Sequence, residues 1–166
     1  MGYKVKTAPE NASLEPGRFK TFEDLDAYRG AREFRQRMYA ITRQLPEFEK
    51  YELASQIRRA AVSLTNNIAE GHGRYHFADQ VRFFLGSRGS LQELVDDLNV
   101  CADEQYVPPQ TIAEYKTEAW HVHALINGYL RYLRDRKAGQ RPHVREAAPG
   151  STEDEDALQL LDEALA

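Results

Sequence analysis

Apolar residues recur along this chain at steps of three and four, and four long stretches carry the repeat. In the first, Leu25, Tyr28, Ala31, Phe34, Met38, Ile41 and Leu45 share one stripe, which predicts a helix ending before Pro46. Thr21, with Asp24 three residues on, is its predicted N-terminal cap. The second stretch puts Leu53, Ile57, Ala61, Leu64 and Ile68 on one face. Gly71 and Gly73 predict its end, because glycine adopts the left-handed conformation of a helix C-terminus without steric cost. The third, Phe77 to Ala102, aligns Phe84, Ser87, Leu91, Leu94, Leu98 and Cys101. After Pro108 and Pro109, the fourth aligns Ile112, Tyr115, Ala119, Val122, Ile126, Tyr129 and Leu133 in a seven-residue repeat.

No strand-like alternation competes with these stripes. Four amphipathic helices on short connections predict an all-α chain folded as an up-down-up-down four-helix bundle. Gly86, Ser87, Gly89 and Ser90 thin the bulk of the third helix. Each interior glycine costs about 1 kcal/mol against alanine, which predicts close approach of another helix there.

The ends read differently from the middle. Residues 1–18, with Pro9 and Pro16 and few large apolar side chains, predict a disordered lead, and the bundle is assigned to 19–137. Residues 138–166 read as a flexible linker and acidic tail. Within it Thr152 and Glu155 form a capping pair ahead of Leu158, Leu161 and Leu165, which would share one side of a short helix. At about 14 residues that helix is marginal alone, so it either stays disordered or docks.

Charge sharpens this division. The formal net charge of -4 combines a body through Arg145 with 22 Lys and Arg against 19 Asp and Glu, and an end from Glu146 with 7 acidic and no basic residues. A body at +3 suits an anionic partner weakly; the tail at -7 is strongly acidic. The single cysteine, Cys101, forms no internal disulfide, and no apolar leader follows Met1, so the expected compartment is the cytoplasm, with no membrane partner.

The run QIRRAAVSLTNNIAEGHGR, residues 56–74, resembles the family of small bacterial helical-bundle proteins encoded in intervening sequences of 23S ribosomal RNA genes. FEDLDAYRGAREF from Phe22, LPEFEKYELASQIRRA from Leu45, the Gly89-Ser90 pair with Glu93-Leu94, and LINGYLRYLR from Leu125 follow in that family's order. The resemblance covers about residues 20–137 and implies a homo-oligomer, often a pentamer, without enzymatic activity or cofactor. It extends to accessory proteins of reverse transcriptases in diversity-generating retroelements, which makes RNA or DNA, and such an enzyme, the implied partners. Thr65 stands where the family often has proline, which predicts a straighter second helix. The N-terminal lead and the acidic tail are additions to the family's pattern.

Arg58 and Arg59 are the first candidates for nucleic-acid contact, with Arg74 and Arg82 across the glycine turn, since guanidinium groups hold phosphates bidentately. The alternative is pairing with Glu52, Glu70 or Asp79, or with a neighbouring subunit. Arg29, Arg32, Gln36 and Arg43 on the first helix, and Arg131 and Arg134 on the fourth, form stripes that a solvated face also explains. Asn66, Asn67 and Glu70 read as helix-end hydrogen-bonding groups, and Leu158, Leu161 and Leu165 as a partner-binding tail. His121 and His123 lie about 200° apart around a helix and do not share a metal ion. Cys101, Trp120 and Tyr115 read as core, seam or interface residues. The sequence supports two functions: an oligomeric, non-catalytic nucleic-acid-binding accessory protein, or a protein-interaction scaffold whose tail recruits or regulates a partner.

Overall fold

A computed structural model describes residues 21–139 and 152–166; the predicted lead over 1–18 and the linker over 140–151 lie outside the described residues. Among those described, all regular structure is helical: α1 Asp26–Thr42, α2 Leu53–Gly73, α3 Phe77–Asp103, α4 Pro109–Gly139 and α5 Thr152–Leu165. Short 3-10 turns precede α1 (Phe22–Asp24) and α2 (Glu47–Lys50). None of these helices is long and apolar enough to cross a membrane.

The predicted stripes form the core. α1 packs on α2 and α4, and α3 on the same two, so each of these four helices turns its apolar face to a shared interior. Phe34, Met38, Ile57, Leu64, Phe84, Leu91, Leu98 and Ile126 are fully buried there. Pro109 sits at the first position of α4, where its missing N–H costs no intrahelical bond.

Several boundaries differ from the sequence expectation for identifiable reasons. The Thr21 N–H donates to Asp24 Oδ2 at 3.0 Å, but this closes the 3-10 turn, and α1 starts only after extended Leu25. Gly71 and Gly73 lie inside α2, and the residue after it, Arg74, is extended at φ -79°. Gly71 is buried against α3: a Cβ there would stand 2.9 Å from both Phe83 Cβ and Phe84 Cδ2. The left-handed residue is instead Gln105, φ 58°, which ends α3 as the Tyr106 N–H donates to the Cys101 carbonyl. Trp120, expected at a seam or subunit contact, is 53 % exposed in this chain, while Tyr115 is buried and donates to the Arg37 carbonyl at 3.2 Å.

The thin stretch of α3 does allow close approach. Ser87 Oγ reaches the Leu64 carbonyl on α2 at 2.7 Å and Ser90 Oγ reaches Ser63 Oγ at 2.9 Å. Gly86 faces the Asn67 side chain, but Gly89 has open space around it.

α5 docks along α3 and α4. Ala157 and Leu161 are buried, and Leu158 and Leu165 are half-buried. Its acids meet cations on α4: Asp154 pairs with Lys137, and Asp162 with Arg134 at 3.7 Å. Arg88 of α3 donates to the Ala164 carbonyl at 2.8 Å near the other end. Leu161 and Leu165 therefore pack against the protein's own core, and Leu158 is half-buried beside them.

Candidate nucleic-acid interface

The flank between α1 and α2 carries arginines from both helices. On α1, successive residues turn by about 100°, so Arg32, Arg35 and Arg43 fall within an arc of about 80° beside Tyr39. Arg35 lies against α2, its Nη1 donating to Thr65 Oγ1 at 2.8 Å, and Thr65 Oγ1 itself donates to the Val62 carbonyl at 3.1 Å. From α2, Arg58 and Arg59 line a shallow groove of about 530 Å³ with Tyr39, Ser63, Asn66 and Asn67, and no carboxylate contributes to its wall.

Neither Arg58 nor Arg59 pairs with a carboxylate among the described residues. Arg58 Nη2 donates to the Lys50 carbonyl at 2.9 Å, and Arg59 Nη1 to Ser55 Oγ at 2.8 Å. Those neutral acceptors orient each guanidinium without an ion pair, which suits a phosphate with two oxygens to present. The serine hydroxyls and asparagine amides around them can contact phosphate or sugar as well. Asn67 Nδ2 donates to the Ser63 carbonyl at 2.9 Å, holding its amide along the groove rather than at the helix end.

The four arginines chosen from sequence do not form one surface. Arg74 lies fifteen residues beyond Arg59, about 22 Å along the helix axis. It pairs with Glu70 and lies over the Phe83 ring at 4.8 Å, so it answers to the structural alternative. Arg82 is exposed on α3 and has no ion-pair partner among the described residues. Of the α1 stripe, Arg29 is engaged with Asp24 at 3.5 Å and Asp26 at 3.9 Å. Arg134 is engaged with Asp135 and Asp162. Arg35 was missed in the sequence because its step places it between the polar stripe and the core, where only packing reveals its partner.

Behind the groove lies Asp97, 1 % exposed at the α2–α3 seam. Gln56 Nε2 donates to its Oδ1 at 2.8 Å, while Oδ2 is buried without a partner among the described residues. Burial, then the neighbouring Glu93, pushes the Asp97 carboxyl up to about 6, against the opposing pull of the Gln56 bond and the Arg59 charge. Sequence gave no sign of it, because an aspartate following Asp96 reads as solvated. Cys101 is fully buried, and burial pushes its thiol up to about 11, a setting that disfavours the nucleophilic thiolate. His121 borders a cleft between α1 and α4, and His123 makes a T-shaped contact with Trp120, so the two have different surroundings.

No curated protein matches the chain. The family model of the 23S rRNA-intervening sequence proteins matches residues 23–128, most of the 166-residue chain, and the protein belongs to that family.

Proposed function

We propose that this protein is a non-catalytic nucleic-acid-binding accessory protein that holds the phosphate backbone of RNA on its α1–α2 flank. The observation that carries this reading is the pair Arg58 and Arg59, both held by neutral acceptors in a groove whose wall contains no acid. Arg32, Arg35 and Arg43 extend the positive flank along α1. Contacts of this kind position an RNA without reading its sequence.

The working unit in this reading is an up-down-up-down four-helix bundle of α1–α4, assembled into a cytoplasmic homo-oligomer, a pentamer by the family resemblance. Repeating a modestly basic flank around a ring multiplies the field and supplies avidity that one copy lacks. A reverse transcriptase is the enzyme such an accessory would serve by the same resemblance. The scaffold alternative is less well supported, because Leu161 and its neighbours on the tail are engaged in cis.

Fluorescence anisotropy with a labelled RNA at several salt concentrations tests the proposal. Binding should weaken steeply with salt, and Arg58→Ala with Arg59→Ala should lower the slope of log K against log salt by about 1 to 2. Salt-independent binding, or no binding by the intact oligomer, overturns it.

A further inference from the structure

A second cationic cluster lies at the far end of α2, beside the glycine turn across which the sequence placed Arg74 and Arg82. The α2–α3 turn, the last turns of α4 and the start of α5 enclose a pocket of about 350 Å³. α4 supplies Arg136 and Lys137, the turn supplies Tyr75 and His76, and Leu133 and Phe77 give it an apolar floor. α5 supplies Asp154, whose Oδ2 stands 2.5 Å from Lys137 Nζ.

These groups differ in what holds them. Lys137 is engaged by Asp154 and lies 5.6 Å over the Phe77 ring, whereas Arg136 has no ion-pair partner among the described residues. Tyr75 is 92 % exposed and makes a T-shaped contact with His76 at 5.3 Å, so most of its ring is open to a stacking partner. Gln80 Nε2 is committed to the Arg74 carbonyl at 2.7 Å, so its amide oxygen is the end left to accept a bond. An exposed aromatic face beside two cations is the pairing that single-stranded nucleic acids use, the ring stacking a base while the cations take the phosphate. The volume is at the small end of the about 300–1,000 Å³ range of small-ligand sites, which suits one nucleotide and not a longer segment.

We propose that this pocket binds one nucleotide unit, phosphate on Arg136 and Lys137 and base on Tyr75, and that Asp154 occupies the phosphate position in cis. α5 is thereby a tethered competitor: its carboxylate must leave Lys137 before a phosphate can enter. The first turn of α5 carries Glu153, Asp154 and Glu155, so its departure also removes like charge from the path of an incoming strand. The inference deepens the nucleic-acid reading by adding a site about one helix length from Arg58 and Arg59, and it rests on that reading only for the source of the nucleotide.

The test uses the full chain with two probes, a labelled single-stranded oligouridylate at low salt and uridine monophosphate followed through the NMR signals of the His76 ring and the Lys137 ammonium. Circular dichroism first checks that Tyr75→Ala, Asp154→Asn and the Arg136→Ala, Lys137→Ala pair keep their helix content. Asp154→Asn should tighten oligouridylate binding about threefold or more by removing the competitor. Tyr75→Ala should weaken it roughly tenfold, and the Arg136, Lys137 pair should abolish the gain from Asp154→Asn. If the oligouridylate binds but none of these substitutions moves its affinity, the pocket proposal is overturned while the α1–α2 interface stands. Uridine monophosphate shifting His76 and Lys137 with no oligouridylate bound supports the pocket as a mononucleotide site and removes the nucleic-acid reading. Silence from both probes overturns both.

Discussion

Ser87 Oγ on α3 donates to the Leu64 carbonyl on α2 at 2.7 Å, with both residues fully buried. A side chain reaching a backbone carbonyl fixes the separation of two helices more tightly than apolar contact does, because the bond tolerates little change in length. Ser87→Ala should cost about 1 kcal/mol, since Leu64 keeps its intrahelical bond and no donor is stranded. Ser87→Leu should cost more, about 1 to 3 kcal/mol or beyond, by forcing the helices apart. Urea denaturation of the two variants measures the difference.

Gly71 and Gly89 should respond oppositely to the same substitution. Gly71→Ala drives a Cβ against Phe83 Cβ, an atom fixed to the α3 backbone, and should destabilise by about 1 to 3 kcal/mol despite the better helix propensity of alanine. Gly89 is helical, exposed and open on every side, so Gly89→Ala should stabilise by about 0.5 to 1 kcal/mol. Thermal melts of both variants at matched protein concentration decide this. A loss of stability at Gly89 would point to a packed neighbour on that face in the assembled protein.

The contrast between these glycines marks where sequence reading stops. The interior was legible because burial on a helix repeats every three or four residues, and Phe34, Leu64, Phe84 and Ile126 announce themselves by that spacing alone. A glycine carries no such signal: the same residue serves as a helix terminator, a close approach or nothing, and only the neighbouring helix decides. Arg58 and Arg74 were both candidates for phosphate contact or for pairing, and the sequence left that choice open. What separates them is that Glu70 lies one turn before Arg74 while Arg58 meets a carbonyl. The docking of α5 was an open choice because its leucine stripe fixes an apolar face without naming the surface that receives it.

Asp97 should make stability depend on pH in an unusual direction. Its folded carboxyl is raised from the ordinary value near 3.8 to about 6, so the folded chain binds that proton more tightly than the unfolded chain. Stability from this group is therefore present below about pH 4, and is lost as pH rises through about 6. Asp97→Asn removes the buried charge. It should gain up to about 3 kcal/mol at neutral pH, with the advantage over the parent shrinking as pH falls from 6 to 4. Urea midpoints of both proteins across that interval test the sign; a constant difference would mean that Asp97 does not titrate there.

Leu161 is the residue through which α5 is most firmly held, being fully buried while Leu158 and Leu165 are half-exposed. The Arg134–Asp162 pair contributes less, since its atoms are separated by 3.7 Å with side chains 35 % and 66 % exposed, and such pairs add at most about 1 kcal/mol. Leu161→Asp buries an unpaired carboxylate against α3 and α4, a cost that a marginal 14-residue helix does not absorb. Undocking is the expected outcome, with amide exchange over residues 152–165 accelerating while α1–α4 keep their protection. Charge-neutral Leu161→Ala should release the helix only in part, at about 2 to 4 kcal/mol. Uniform loss of protection throughout the chain would instead show that α5 folds as one cooperative unit with the other helices, and that its departure is global unfolding.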